Sequence, residues 1–485
     1  MVPADRLILE RRSVRNERVG DFISNLISIG LLAGLFFTTL AFGAVEPWSI
    51  AIFGVLVIGL ILLWVIKCFV DRKLKLVIPR IAWPIFALII WGFLQSLNKV
   101  DEYGKRFAVS VDIEATRLTL EVLLVLFFVF LIFANFFAGS KQLLWFRNFL
   151  ILFGLALSVF GMIQKFTWNG KYYWIIQPST VPTSPFGSFV NHNHFAGFVE
   201  MIVPIPVAMI FVRVVQKEIA IFYGFAAAMM GIAIFLSLSR WGMVSLAASL
   251  IFVVLFSLTP AIKRARRIDL GVWKSVILPR IAAVTLITMT IGIGIYWAGA
   301  GDVLNRIGQV EVQSELRGIG EEKSGFLESR GPIWRDTLAM IRENWLTGVG
   351  LGAFETAYPL YSKSNGTVIV SQAHNDYLQI VADCGVLGGV FVIWFVFIFF
   401  KSLFQAIQHS DEVMSVMALG CGAGMFAILV HSLFDFNLQL PSNALLFLGL
   451  TAIVSNIQTS EGVARRNKAG STSLGLEQRE AFRFS

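Results

Sequence analysis

The chain has 485 residues, of which 56% are hydrophobic and 15% charged, with a mean hydropathy of +0.74 and a formal net charge of +9. Soluble domains carry roughly 25% charged residues, so these values exclude an ordinary soluble protein and give an integral membrane one. The apolar runs are continuous, not alternating, which excludes a β-barrel, and the positive charge is read first as membrane topology, not as nucleic-acid binding.

Residues 1–21 form a basic N-terminal segment containing RLILERRSVRNER. The apolar run from Phe22 to Phe42 is long and has no convincing small-residue cleavage site after it, so it reads as a retained first helix and not as a signal peptide. Runs of this kind recur along the chain. They predict an all-α polytopic protein of about 12 transmembrane helices, at 22–44, 48–69, 81–98, 118–138, 143–164, 194–213, 218–238, 241–259, 278–298, 377–400, 413–434 and 440–457.

An even number of spans puts both termini on one side. With the N-terminus cytoplasmic, the inner segments carry 26 of the 40 Lys and Arg residues and the outer ones 14, although the longer loops are outside. The expected organisation is a cytoplasmic N-terminus (1–21), spans one to nine (22–298), an external loop (299–376), spans ten to twelve (377–457) and a disordered cytoplasmic tail (458–485). The external loop is too long to be structureless in a compact protein. Its segment 333–345 has the apolar spacing of a surface helix, with Arg335, Asp336, Arg342 and Glu343 between apolar residues. Cys68, Cys384 and Cys421 lie far apart in or beside spans, which supports neither a disulfide framework nor a zinc site.

The unusual polar residues collect on the outer side. The run NHNH, Asn191 to His194, enters span six; an alternating His pair hints at a metal, but no carboxylate cluster or cysteine accompanies it, and helix capping by Asn191 or Asn193 or hydrogen bonding in a site fits better. Arg240 has almost no loop to retreat into. It either snorkels to the headgroups or faces a cavity or partner, and its position opposite the basic side favours the second. Arg330 and Arg335 are expected near the start of one surface helix, where guanidiniums and the helix dipole suit a phosphate, whereas Arg335 has a competing role in pairing with Asp336 or Glu343. The turn Gly348 to Gly352, GVGLG, lacks a Walker lysine and a preceding strand, and is read as a tight backbone turn.

His374, in QAHNDYLQ, stands where the loop meets span ten and has the chemistry of a general base near neutral pH, while Asn375 and Asp376 suit the start of the helix that follows. His431 and Asp435, spaced i, i+4, are expected on one helix face, to orient the site or to neutralise each other. Trp168, Tyr172, Tyr173 and Trp174 fit either sugar stacking or an interfacial aromatic belt.

Taken in order, GSFVNHNHFAGF, SLSRWG, SRGPIWRDTLAMIRENWLTGVGLGAF, AHNDYLQIVADCGVLGG and HSLFDFNLQLP resemble the motifs of the O-antigen ligase and polysaccharide polymerase superfamily of bacterial inner-membrane proteins. The resemblance covers roughly Gly187 to Pro441, and the first five spans add only hydropathy. It departs from the family pattern at Leu346 and Thr347, where a proline usually precedes the glycine turn.

The resemblance implies a glycosyltransferase working without metal, nucleotide sugar or other cofactor in the inner membrane, with its site facing the periplasm. The donor would be an undecaprenyl pyrophosphate-linked glycan and the acceptor hydroxyl would belong to a glycan or lipid A core; membrane lipid is a partner and nucleic acid is not. It further implies that Arg240 and Arg330 hold the pyrophosphate and that His374 activates the acceptor or assists departure of the leaving group. Arg335, Asn193 and Asn375 complete the expected substrate contacts. Ligase, polymerase and protein-glycosylating activities stay open. A transporter or flippase for a lipid-linked or anionic solute is the alternative from another class; it should place broken helices at mid-membrane, whereas the polar residues here gather at one end.

Overall fold

A computed structural model describes residues 4–74, 76–100, 106–177, 185–265, 326–362 and 369–481. The expected ninth span, 278–298, and the loop segment 299–325 lie outside the described residues. The helices are α1 (Ala4–Leu40), α2 (Pro47–Asp71), α3 (Ala82–Gln95), α4 (Ile113–Phe136), α5 (Ser140–Phe166), α6 (His192–Glu200), α7 (Pro204–Val212), α8 (Lys217–Leu236), α9 (Arg240–Ala265), α10 (Phe326–Glu343), α11 (Phe354–Ala357), α12 (Asp376–Ala406), α13 (Glu412–His431) and α14 (Pro441–Ala481). A short antiparallel pair, β1 (Asn98–Val100) and β2 (Arg106–Ala108), links α3 to α4.

Among the described residues, nine helices are long and apolar enough to cross a membrane, against the twelve expected. Span three corresponds to α3, whose 14 residues reach only about 21 Å at about 1.5 Å per residue, short of a hydrocarbon core about 30 Å thick. Span twelve is the first half of α14, buried from Leu445 to Ile457 and interspersed with Thr451, Ser455 and Asn456, which lower its hydropathy. Span six is two helices in tandem, α6 and α7, broken at residues 201–203 ahead of Pro204. A proline has no N–H for the helix ladder and clashes with the preceding turn. The 458–485 segment, expected as a disordered tail, is taken into α14 as far as Ala481, with no proline after Pro441 to stop the helix.

α13 forms the centre. It packs against α9, α7, α14, α12 and α6, and nearly every side chain from Met414 to Ile428 is buried. Small residues permit this: a Cβ at Gly424 would run into the carbonyl oxygen of Met201, in the break between α6 and α7. Outside this core, α2 and the second half of α12 expose Val55, Phe69, Ile393 and Phe397, the pattern of lipid-facing walls.

α12 is kinked. Gly385 has φ 66° and ψ −161° inside it, and a Cβ there would strike the Leu346 carbonyl. The GVGLG turn fills the bend: Val349 and Gly350 N–H groups donate to the carbonyls of Ala382 and Asp383 (both 2.9 Å), and Gly352 N–H donates to the Asp383 side chain (3.0 Å). Gln95, at the end of α3, donates to the carbonyls of Thr347 and Asp383 at 2.7 and 2.9 Å and accepts from Leu351 N–H at 3.1 Å. The glycine turn therefore satisfies the backbone groups that a broken helix leaves open. It fixes α12, and with it the residues at the start of α12.

Candidate active site

Four segments converge where α6, α9 and α12 begin and α13 ends. α13 stops at His431, with Ser432 as its cap, and residues 432–440 turn back towards Pro441. The start of α12 is tied to this turn. Asp376 accepts from Ser432 Oγ (2.7 Å) and Leu438 N–H (3.2 Å), its own N–H donates to the Ser432 carbonyl (2.9 Å), and Asn375 Nδ2 donates to the Leu433 carbonyl (2.8 Å). These bonds set His374, the residue before Asn375, beside Asp435.

Asp435 is the hub. Its carboxylate has no solvent exposure; Oδ2 accepts from Asn193 Nδ2 at 2.6 Å and lies 3.5 Å from Arg330 Nη2, while Oδ1 accepts from Phe436 N–H at 2.9 Å and lies 3.6 Å from His374 Nδ1. Three residues expected in the site, Asn193, Arg330 and His374, thus meet on one carboxylate. Burial by itself would push the Asp435 carboxyl up; His374 and the charges of His194, Arg330 and His431 outweigh it and hold the group well below the usual carboxylate range. Burial lowers the Arg330 guanidinium, an effect that Asp435 opposes, and a guanidinium starts so high that it stays charged.

His374 has a left-handed backbone, φ 51°. Histidine tolerates that region better than most residues, yet the conformation is uncommon and collects at functional sites. Its ring meets the edge of Phe436 at 5.0 Å between centroids, and His194 meets the same ring at 4.8 Å, so Phe436 is shared by the two histidines. With Nδ1 turned to Asp435, Nε2 is the ring nitrogen on the far side from the carboxylate.

Arg240 is the first residue of α9 and its side chain is exposed. Ser239 ahead of it accepts from Gly242 N–H at 3.2 Å and so caps the helix, while Leu238 takes a left-handed φ of 63°. Trp241 stacks on Phe434 at 3.2 Å between centroids and 5° between planes, and Phe434 lies 6.2 Å from Trp334 of α10. This stack fastens the start of α9 and the Arg330 helix to the residue next to Asp435.

The two α10 arginines separate. Five positions on a helix of about 3.6 residues per turn rotate by about 140°, so Arg330 is 8% exposed and faces Asp435, whereas the Arg335 side chain is 62% exposed and pairs with Asp336 at 3.3 Å. The competing role foreseen for Arg335 is the one seen. Asn375 acts as a helix cap, its Oδ1 accepting from Tyr377 and Leu378 N–H groups at 3.0 Å each. Asn191 likewise caps α6, accepting from Asn193 N–H at 2.9 Å.

The expected His431–Asp435 face is corrected. The backbone keeps the i, i+4 relation, Asp435 N–H donating to the His431 carbonyl at 3.1 Å, but the side chains part: His431 Nδ1 turns to Glu200 at 3.0 and 3.1 Å from its two oxygens, while Asp435 turns to Asn193, Arg330 and His374. Glu200 was not foreseen by sequence reasoning. The signal was available, since a lone carboxylate within the apolar run GFVEMIVP is costly in a membrane span unless paired.

No curated protein matches the chain. Residues 225–393 match the family described as O-Antigen ligase, a segment that holds Arg240, Arg330 and His374 but neither Asn193 nor Asp435. That match, on a chain with nine helices among its described residues long and apolar enough to cross a membrane, supports the O-antigen ligase superfamily and a glycan-transfer function of that kind.

Proposed function

We propose that the protein transfers a glycan from an undecaprenyl pyrophosphate donor to an acceptor hydroxyl, on the periplasmic side of the bacterial inner membrane and without a metal. The observation that carries this reading is the convergence of Arg330, His374 and Asn193 on the buried carboxylate of Asp435, beside the capped start of the Arg240 helix.

In this reading, Asp435 orients the His374 ring and stabilises its charged form once Nε2 has taken the acceptor proton. The acceptor oxygen then bonds to the anomeric carbon as the bond from that carbon to the phosphate oxygen breaks, and the electron pair leaves with the pyrophosphate. Fixed guanidiniums stabilise that developing charge best where water is scarce. The exposed Arg240, with the dipole of α9 behind it, suits the pyrophosphate; Arg330, offset by Asp435, suits the reacting end. Asn193 holds the second carboxylate oxygen.

The interrupted span α6–α7 with its buried Glu200 is the feature that a transporter of an anionic solute would share. The two readings separate in proteoliposomes given a single lipid-linked repeat unit. Transfer is expected to yield a longer glycan or a glycosylated acceptor together with free undecaprenyl pyrophosphate, lost in His374→Ala and Arg240→Ala. Movement of intact donor across the bilayer with no new glycosidic bond would overturn the transfer reading. A ladder formed from donor alone would mark a polymerase, whereas product formed only with lipid A core would mark a ligase.

A further inference from the structure

We infer that Glu200 and His431 form a positioning pair for this site: an ionised acid–imidazole bridge, sealed inside the bundle, that fixes α6 against α13 and stands a positive imidazolium behind Asp435. The inference rests on the active-site reading above.

Both side chains have no solvent exposure, and His431 Nδ1 lies almost equally far from the two Glu200 oxygens, 3.0 and 3.1 Å. A carboxylate sealed among apolar helices needs a hydrogen-bonded countercharge, and this bifurcated contact is that of a donating Nδ1–H on a charged acceptor. The pair joins the same two segments as the Asn193–Asp435 bond. Glu200 ends the helix that carries Asn193, and His431 ends the helix whose turn carries Asp435. The His431 carbonyl also accepts from the N–H groups of Phe434 and Asp435 at 2.9 and 3.1 Å, so the residue that pairs with Glu200 shapes the turn holding the hub.

His431 Nε2 is buried with no hydrogen-bond partner among the described residues, which leaves its charge to act through space and not through a further bond. Around it stand Glu200 and His194 from α6, Arg330 from α10 and Asp435 from its own turn. α9 and α12 bring Arg240 and Asp376 at their first residues, while α7 brings no ionisable side chain. Removing the Glu200 charge releases the proton from His431. Anion and cation are then lost together, and Asp435, whose N–H is bonded to the His431 carbonyl, loses the nearer cation and passes the change to His374 across their 3.6 Å contact.

The test uses the full-length protein in detergent with its five histidines labelled for nitrogen NMR, His374 being assigned from a His374→Gln variant. In Glu200→Gln, which keeps an acceptor for His431 but no charge, the His374 midpoint is expected to shift by about half a pH unit, and the acid limb of the glycan-transfer rate to move with it. Glu200→Asp should keep both near the wild-type position. The double variant Glu200→Leu/His431→Leu guards against mere unfolding, because apolar replacement of both partners of a buried pair is often neutral or stabilising. An unchanged His374 midpoint in Glu200→Gln, or a double variant with wild-type rate and acid limb, overturns the inference. Failure of the active-site reading looks different: His374→Ala and Asp435→Asn would retain transfer, while the NMR midpoint still reports whether the pair acts on His374.

Discussion

Replacing Asp435 by Asn keeps the shape of the hub and removes its charge. Arg330 then loses a counter-ion at 3.5 Å while remaining 8% exposed, and His374 loses a carboxylate neighbour at 3.6 Å. At 3.5 Å and an effective dielectric of about 20, Coulomb's law gives about 5 kcal/mol for the Arg330 contact. Part of this is offset by the desolvation that the wild-type pair already bears, and measured losses on breaking buried pairs run at about 3–5 kcal/mol because the remaining charge is stranded. The Asn193 bond at 2.6 Å loses its charged acceptor as well. The expected outcome is a clearly lower unfolding midpoint in detergent and a glycan-transfer rate reduced at least about 100-fold, as when a general base loses the group that orients it. Thermal scans and initial rates with a fixed lipid-linked donor measure both. An Asp435→Asn protein with wild-type rate and midpoint would refute the assignment of Asp435 as the hub.

Three further outcomes are expected. Because Asp435 titrates lower in the folded protein than in the unfolded chain, its stabilisation is complete above the unfolded value of about pH 4 and is lost as the pH falls towards the folded value; unfolding midpoints of wild type measured against pH should drop there, and those of Asp435→Asn should lack that component. Arg335→Ala removes an exposed guanidinium from the buried Asp336, which keeps Tyr358 Oη at 3.3 Å, and should lower stability by about 1–2 kcal/mol while leaving the transfer rate within about twofold of wild type. Gly424→Val forces a side chain against the Met201 carbonyl at the α6–α7 break, so it should cost about 1–3 kcal/mol or more by overpacking and reduce the folded fraction extracted from membranes.

The apolar runs announce the spans because lipid leaves the backbone no other way to satisfy its polar groups, and eleven of the twelve expected runs find a helix or a tandem of helices among the described residues. Where the expectation fails, the cause is local. Gln95 ends α3 early by turning its amide to the carbonyls of Thr347 and Asp383. Pro204 divides span six. Arg240, Arg330 and His374 were legible because charge at the end of an apolar run needs a reason. The carboxylate that Arg330 and His374 share was not, since nothing local in HSLFDFN says that Asp435 meets Asn193, and the spacing to His431 does not tell that its imidazole goes to Glu200. Glu200 lies inside an apolar span, where nothing local in GFVEMIVP names His431 as its partner. The separation of Arg330 from Arg335 follows from helix geometry alone and needed only the helix bounds.

The hydrogen bond from Asn193 to Asp435 closes over 242 positions of the chain. At a synthesis rate of about 5–20 residues per second, roughly ten to fifty seconds separate the emergence of these two residues from the ribosome. Asn193, Arg330 and His374 are all made before Asp435, the carboxylate on which they meet. The arrangement around Asp435 therefore cannot exist on a nascent chain that has not reached residue 435. A stalled chain ending before residue 435 lacks the carboxylate on which Asn193, Arg330 and His374 meet, however many of its spans have been inserted.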